Sequence, residues 1–461
     1  MNTFKSIRPS RVLRVLFVLF AFSAGVIQAQ KREWTLEECV TYAVENNLDV
    51  QQFQLAFERT MLDKSDAIGN LLPAVNAQTQ VGRNVGFTID PSTNAPTTAG
   101  ITTASANLTA SMTLFDGLRN INQLQRAKMN ALASQYQLQD LVDDIRLNVA
   151  NAYLNVLSNK ESLKAFQAQY AVTEQDLNRI REQVDAGVLP RGDLLEIQAT
   201  AANLEQQIVN AENNVLLSRI VLAQLLQITD YENFDIADQE FEVPPSEILG
   251  NSPKVIFDKA LTFRNDIAFS RSNVELAEQD LKIARGAYLP SLNAFFNYNT
   301  RYSSNTTLPD PANPGSFFSP TFIDQLWILD GISYGARLDV PIFNGWSTRN
   351  NVKRAKIDVM RAELQLEQDK LALENDINTA YLDVQSFAKA YEAAQKTLEA
   401  RQLALEYARE RYEVGLMNAF DYGQAQARVD DAQASVIQNK YNYIFRLKVL
   451  EFYFGLPITL D

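Results

Sequence analysis

Side chains that bind metal, attack substrate or shuttle protons are scarce in this chain. Its 461 residues include no histidine and one cysteine, Cys39. Imidazole-based metal sites and His-centred triads are therefore excluded, and there is no disulfide framework or thiolate cluster. No Gly-rich phosphate loop is present. The carboxylates that stand out are Asp421 and its counterpart Asp193, each shortly after a glycine, Gly415 or Gly187, that breaks a long helical pattern. A carboxylate at the start of a helix caps its free N–H groups, and the recurrence of Asp193 at the equivalent place favours that reading. No catalytic, metal or cofactor site is expected, and no enzyme.

The elements around these residues occur twice. Leu114-Phe115-Asp116-Gly117 opens a helical run that passes Asn151-Ala152-Tyr153-Leu154, breaks at Gly187 and ends near Leu226. A shift of 228 gives Ile342-Phe343-Asn344-Gly345, Thr379-Ala380-Tyr381-Leu382, a break at Gly415 and an end near Phe454. Repetition over this length implies one architectural unit built twice. The first repeat is expected over 31–229, with a β-hairpin at about 74–115, a long helix over 118–185 and a return helix over 194–226. A linker over 230–255 leads to the second repeat, 256–461, with a hairpin at about 291–343, a long helix over 346–413 and a return helix over 422–454.

Residues 1–30 read as a secretory signal. A basic start (Lys5, Arg8, Arg11, Arg14) precedes an apolar run from Val15 to Ile27 and a small residue, Ala29, near the expected cleavage point. Without its four basic residues the chain carries 38 Lys+Arg against 55 Asp+Glu, a net charge of −17, which gives nucleic acid no reason to bind. No later segment is apolar enough for a transmembrane helix, so any membrane crossing must be made by a β-barrel.

Thr35 and Glu38 spell a capping box before a helix, which Asn46-Asn47 interrupts and a second helix continues to about Asn70. Both copies then reach a proline, Pro73 or Pro290, which cannot continue a helix. There the period changes to two. Val75, Ala77, Thr79 and Val81, then Ala104 to Leu114, then Leu292 to Tyr302, then Tyr334 to Ile342 alternate with Asn, Gln, Ser, Thr, Arg and Asp. These are four strands of about ten residues, the length a tilted membrane strand needs. Long polar loops, about 84–103 and 303–331, join them. Asp116 and Asn344 are expected at the strand-to-helix corners as N-caps.

The long helices carry a heptad. Val142, Val149, Val156, Leu163, Tyr170, Leu177 and Val184 follow at intervals of seven, as do Ile377, Val384, Tyr391, Leu398, Leu405 and Tyr412. Asn159 and Thr173 are polar exceptions on the neighbouring seam. A 3.5-residue period implies left-handed supercoiling around partner helices. Four strands cannot close a membrane barrel, and open edges are not tolerated in lipid. Other chains must complete it. Three copies would give twelve strands, although the pattern requires only an oligomer.

The duplicated layout, Tyr288-Leu289-Pro290-Ser291-Leu292, Pro341-Ile342-Phe343-Asn344-Gly345, the Ala-Tyr-Leu elements and the two glycine tips resemble the TolC-type outer-membrane efflux proteins over nearly all of 34–457. The resemblance implies an α+β membrane channel: a homotrimer with a 12-stranded transmembrane β-barrel, four strands per chain, continuing into a long α-helical coiled-coil barrel. It also implies an outer-membrane location extending into the periplasm, with lipid, a periplasmic adaptor protein and an inner-membrane pump as partners. In the family the helical tips form the gate. Tyr412 matches the gating tyrosine and Asp421 the outer constricting aspartate, which would form a ring of three carboxylates. The arginine position is Met417 here and the second aspartate is Gln424. Gly187, Val188 and Leu189, with Val414, Gly415 and Leu416, match the adaptor-contact turns. The function implied is a passive exit duct of a tripartite efflux or type I secretion system. A periplasmic coiled-coil scaffold with a small soluble β-domain is the alternative.

Overall fold

The computed structural model describes residues 33–89, 94–98, 100–238, 241–243 and 247–457. The expected signal segment lies outside them. Among the described residues the helices are α1 (Leu36–Asn46), α2 (Leu48–Gly69), α3 (Arg119–Asp185), α4 (Arg191–Leu225), α5 (Pro253–Phe263), α6 (Asn265–Gly286), α7 (Phe322–Ile328), α8 (Ser347–Glu413) and α9 (Ala419–Tyr453). The four long strands are β1 (Ala74–Asn84), β2 (Ile101–Phe115), β3 (Ser291–Ser303) and β4 (Gly331–Asp339). Matching helices have equal lengths: 11 residues in α1 and α5, 22 in α2 and α6, 67 in α3 and α8, and 35 in α4 and α9.

Contacts divide the chain into two compact units that cut across its two halves. One takes the described residues up to Gln51 with Leu141–Phe263 and Leu373 onwards, and the other takes Gln52–Asp140 and Arg264–Ala372. The second unit holds the sheet. Its strands are antiparallel in the order β4-β3-β2-β1. The register brings the alternation of each strand into one pattern. Ala77 faces Leu108, Leu108 faces Tyr298, and Tyr298 faces Ile332. One face is therefore mainly apolar across all four strands, with Thr79 and Thr300 among its few polar members. The other carries Gln78, Asn107, Asn299 and their neighbours.

β4 stops at Asp339 instead of continuing through Ile342, because Pro341 offers no N–H to a ladder. At the first corner Asp116 accepts the backbone N–H of Asn120 at 2.9 Å, the capping bond expected of it. Asn344 makes no such bond, and its amide donates to the Thr348 hydroxyl. Gly117, at φ 72°, sits where an added Cβ would run into the Gly286 carbonyl, so this corner closes only between two glycines.

The first unit packs α1, α3, α4 and α9 around Cys39, Val149, Tyr153, Leu222 and Ile444, each fully buried. The capping box forms, with Glu38 N donating to Thr35 Oγ1 at 3.3 Å and Thr35 N to Glu38 Oε2 at 3.1 Å. Asn47 ends α1 and starts α2, since its Oδ1 accepts from Asp49 N at 2.8 Å. The repeated Ala-Tyr-Leu elements have a local role. Tyr153 donates to the Trp34 carbonyl at 3.4 Å and Tyr381 to the Leu249 carbonyl at 3.3 Å, each just before a short helix. The segment between the halves is pinned at Asp235–Ile236, which pairs in parallel with Glu33–Trp34. Lys160 Nζ meets Asp235 Oδ1 at 2.7 Å, Asp238 Oδ1 at 2.9 Å and the Ile236 carbonyl at 2.9 Å. Burial pushes the Asp235 carboxyl up, but Lys160, the Ile236 N–H and Arg219 outweigh it and hold it below its usual range.

Candidate functional site

The two helical tips lie in the first unit and share one geometry. Gly187 and Gly415 adopt φ 75° and 74°. Val188 N donates to the Gln183 carbonyl and Leu416 N to the Arg411 carbonyl, both at 2.8 Å. This is a Schellman ending, which needs a left-handed residue after the last turn. The turns turn apolar side chains outward: Val188, Val414 and Leu416 are 69%, 70% and 71% exposed. Leu189 and Met417 fold back onto the cluster below.

That cluster is built from Ile180 of α3, Ile197 of α4, Ala408 and Tyr412 of α8, and Ala419 and Tyr422 of α9. The Tyr412 and Tyr422 rings stack at 5.1 Å with planes 5° apart. Tyr422 donates to Asp176 Oδ2 at 3.3 Å and accepts from Gln426 Nε2 at 3.3 Å. Asp176 also receives Arg179 at 2.7 Å, and Arg179 reaches Glu413 at 3.3 Å. Arg409 holds the same Glu413 oxygen at 3.2 Å. A polar chain thus ties α3 to the α8–α9 hairpin. Burial, with the Asp176 charge beside it, pushes the Tyr422 phenol up to about 12, so it remains a donor at any physiological pH. The two arginines hold the Glu413 carboxyl below its usual range.

The residues expected from sequence lie apart within this region. Tyr412 is 8% exposed, and its hydroxyl makes no hydrogen bond. It therefore contributes ring packing. Met417 packs against the same cluster. Asp421 is exposed, and it is not the N-cap of α9. Asn418 is, accepting from Asp421 N at 2.8 Å and donating to Asp421 Oδ2 at 3.0 Å. Capping thus falls three residues earlier, and Asp421 is its partner. Asp193 occupies the matching place in α4, where Pro190 stands in the N-cap position without a side-chain bond. Gln424 accepts from Arg428 on its own helix at 2.9 Å.

No local sequence pattern marks Asp176, Arg179, Tyr422 or Gln426 as a group. The one available signal was Thr173, a polar residue on an apolar seam. It is fully buried with its Oγ1 unpartnered, as is Gln426 Oε1 in the same stretch of the bundle. Among the described residues no group of acids and cysteine could hold a metal.

The model of the outer membrane efflux protein family matches residues 41–226 and again 256–456. The chain belongs to the outer membrane efflux protein family. It is similar to the outer membrane protein TolC of Vibrio cholerae, with 23% identity over 444 residues, covering 95% of this chain and 94% of the relative. The fold is that of the Campylobacter jejuni CmeC outer membrane channel, at a TM-score of 0.76 and 19% identity over 99% of this chain and 93% of that one. It is also that of the Neisseria gonorrhoeae MtrE outer membrane channel in its open state, at a TM-score of 0.72 and 20% identity over 92% and 90%. This outer membrane efflux protein is an exit duct of the outer membrane that extends into the periplasm. The scaffold alternative gives way to that assignment.

Proposed function

We propose that three copies of this chain close a twelve-stranded barrel in the outer membrane, that each chain is two structural repeats, and that the helical tips form its periplasmic gate and docking end. The observation that carries this is the four-stranded sheet, mainly apolar on one face and, among the described residues, unpaired along the outer edges of β1 and β4. Such edges cannot face lipid. The repeat supplies the missing junction: β4 corresponds to β2 at an offset of 228, and β1 to β3 at 217. The internal pair Leu108–Tyr298 then becomes Ala336 of one copy against Val81 of the next. A second observation agrees. Gly117 and Gly286 meet inside the chain, whereas their counterparts Gly345 and Gly69 have nothing within 4 Å of an added Cβ. A second copy would fill that space.

At the tips, Asp421 of three copies would set a ring of carboxylates that draws in cations. The Asp176–Tyr422 tie restrains the α8–α9 hairpin, and its release lets the tips splay. The exposed Val188, Val414 and Leu416 offer a periplasmic adaptor an apolar contact, through which an inner-membrane pump delivers substrate. The division of labour suits a duct that spends no energy itself. Purification in detergent tests the assembly: the particle should contain three chains and insert into planar bilayers as a conducting pore. Asp421→Ala should raise its conductance or weaken block by multivalent cations. A monomeric particle that forms no pore contradicts the proposal.

A further inference from the structure

The connection between β3 and β4, expected as a polar loop, carries a helix. α7 is only seven residues long but is firmly held. Thr321 and Asp324 form a reciprocal capping box at its start. Gln325, 2% exposed, accepts from Ser303 N at 3.0 Å and donates to the Pro320 carbonyl at 3.1 Å. Thr300 Oγ1 donates to the Leu326 carbonyl at 2.6 Å, and the Tyr302 ring meets Phe322 edge-on at 4.9 Å. Thr300 and Tyr302 share the parity of Leu292, Ala294, Phe296 and Tyr298, so the helix lies against the apolar face of β3.

Its outer side is apolar as well. Phe322, Ile323, Trp327 and Ile328 are 47%, 57%, 73% and 51% exposed. A polar linker would not be held this rigidly while showing four large apolar side chains to water. The opposite end of the same sheet has a matching group. Ile342, Phe343 and Trp346 are 94%, 75% and 57% exposed, and Phe343 stacks edge-on to Trp346 at 5.9 Å. Between the two groups β3 runs from Leu292 to Tyr302. At about 3.3 Å per residue and a tilt of about 40°, that is roughly 25 Å along the membrane normal. Aromatic girdles flank an apolar band of about that height in outer-membrane barrels, because amphipathic rings settle at the headgroup level.

We propose that α7 is an interfacial helix lying outside the barrel, with Ile323, Trp327 and Ile328 immersed at the headgroup–acyl boundary of the outer leaflet. It anchors the rim of each chain to lipid. The inference rests on the reading of the apolar sheet face as lipid-facing, and the test separates the two. Spin labels are placed by Ile323→Cys, Trp327→Cys and Tyr334→Cys in the full chain reconstituted into phospholipid vesicles. Tyr334 is 79% exposed on the same face at mid-band, and native Cys39 is fully buried. Labels at 323 and 327 should collide more with dissolved oxygen than with a water-soluble nickel chelate, at a shallower depth than the label at 334.

A nickel-accessible label at 323 and 327, with 334 in lipid, overturns the helix proposal and leaves the barrel standing. Labels at 323 and 327 that neither reagent reaches also overturn it, because another chain then covers the helix. A nickel-accessible label at 334 overturns the barrel reading and this inference together. In a Trp34→Phe, Trp346→Phe chain, which keeps α7 intact, brominated lipid should quench Trp327 fluorescence by about two-fold, as expected of an interfacial ring. Quenching by iodide alone contradicts the proposal.

Discussion

Removing one hydroxyl, by Tyr422→Phe, tests the tie between α3 and the tip hairpin with little other disturbance. The ring stays and keeps its 5.1 Å stack on Tyr412. Asp176 keeps Arg179 at 2.7 Å, so no charge is orphaned. What is lost is a bond to a carboxylate at 3.3 Å and the acceptor for Gln426 Nε2. Bonds to charged groups contribute about 1.5–3 kcal/mol, and the length here argues for the lower figure. An unsatisfied buried donor adds roughly 1 kcal/mol. Together, about 2.5 kcal/mol corresponds to a shift of roughly 50- to 100-fold in local opening. Hydrogen exchange at the tip amides, residues 177–200 and 405–425, should accelerate by that order, and single-channel conductance should rise. Exchange within two-fold of the parent, with unchanged conductance, would refute the argument.

Further expectations concern other parts of the chain. Gly69→Val should leave the fold of each chain intact but abolish the proposed trimer, whereas Gly117→Ala should impair the fold itself by forcing a Cβ onto the Gly286 carbonyl; circular dichroism and the mass of the detergent-solubilised particle separate the two. Asp430 lines a cavity of about 280 Å³ with Phe166, Val172 and Ile437. Burial, with Asp431 beside it, pushes its carboxyl from 3.8 up to about 7. The folded state therefore binds a proton that the unfolded chain lacks between those values, so this group favours folding as pH falls from about 7 towards 4. Asp430→Asn should flatten that part of the thermal-stability profile and raise Tm at pH 8. Lys160→Met removes the ammonium that Asp235 and Asp238 share, leaving Arg219 beside the first and Lys164 beside the second. Asp235 is held below its ordinary pKa in the folded chain, so its stabilisation is present above that value and lost on acidification. The variant should lower Tm at pH 7 and narrow the difference from the parent at pH 3.

Much of the architecture was legible because it rests on periodicity. The heptads from Val142 to Val184 and from Ile377 to Tyr412 mark helices that run Arg119–Asp185 and Ser347–Glu413, and the alternation after Pro73 and Pro290 marks strands. The glycine tips were legible because only a left-handed residue ends a helix that way. The return helices begin three residues early, at Arg191 and Ala419, because Pro190 and Asn418 occupy the N-cap positions expected of later residues. The polar tie was not legible. Asp176 and Tyr422 are 246 positions apart, and no local pattern links them. α7 was hidden for a related reason: its stability comes from Gln325, Thr300 and Tyr302 bonding across the loop, while its own seven residues are too few to show a helical period.

The central claim is that the open edges β1 and β4 pair between copies in the register that the repeat dictates. Cysteines placed by Val81→Cys and Ala336→Cys in one chain test it directly, since the native thiol at Cys39 is buried and burial pushes it up to about 12. Mild oxidation of the membrane-embedded protein should give a ladder of two and three linked chains and nothing larger, while Val81→Cys paired with Leu338→Cys cross-links poorly. Cross-linking absent at 81–336, or continuing beyond three chains, would contradict the closed three-chain barrel.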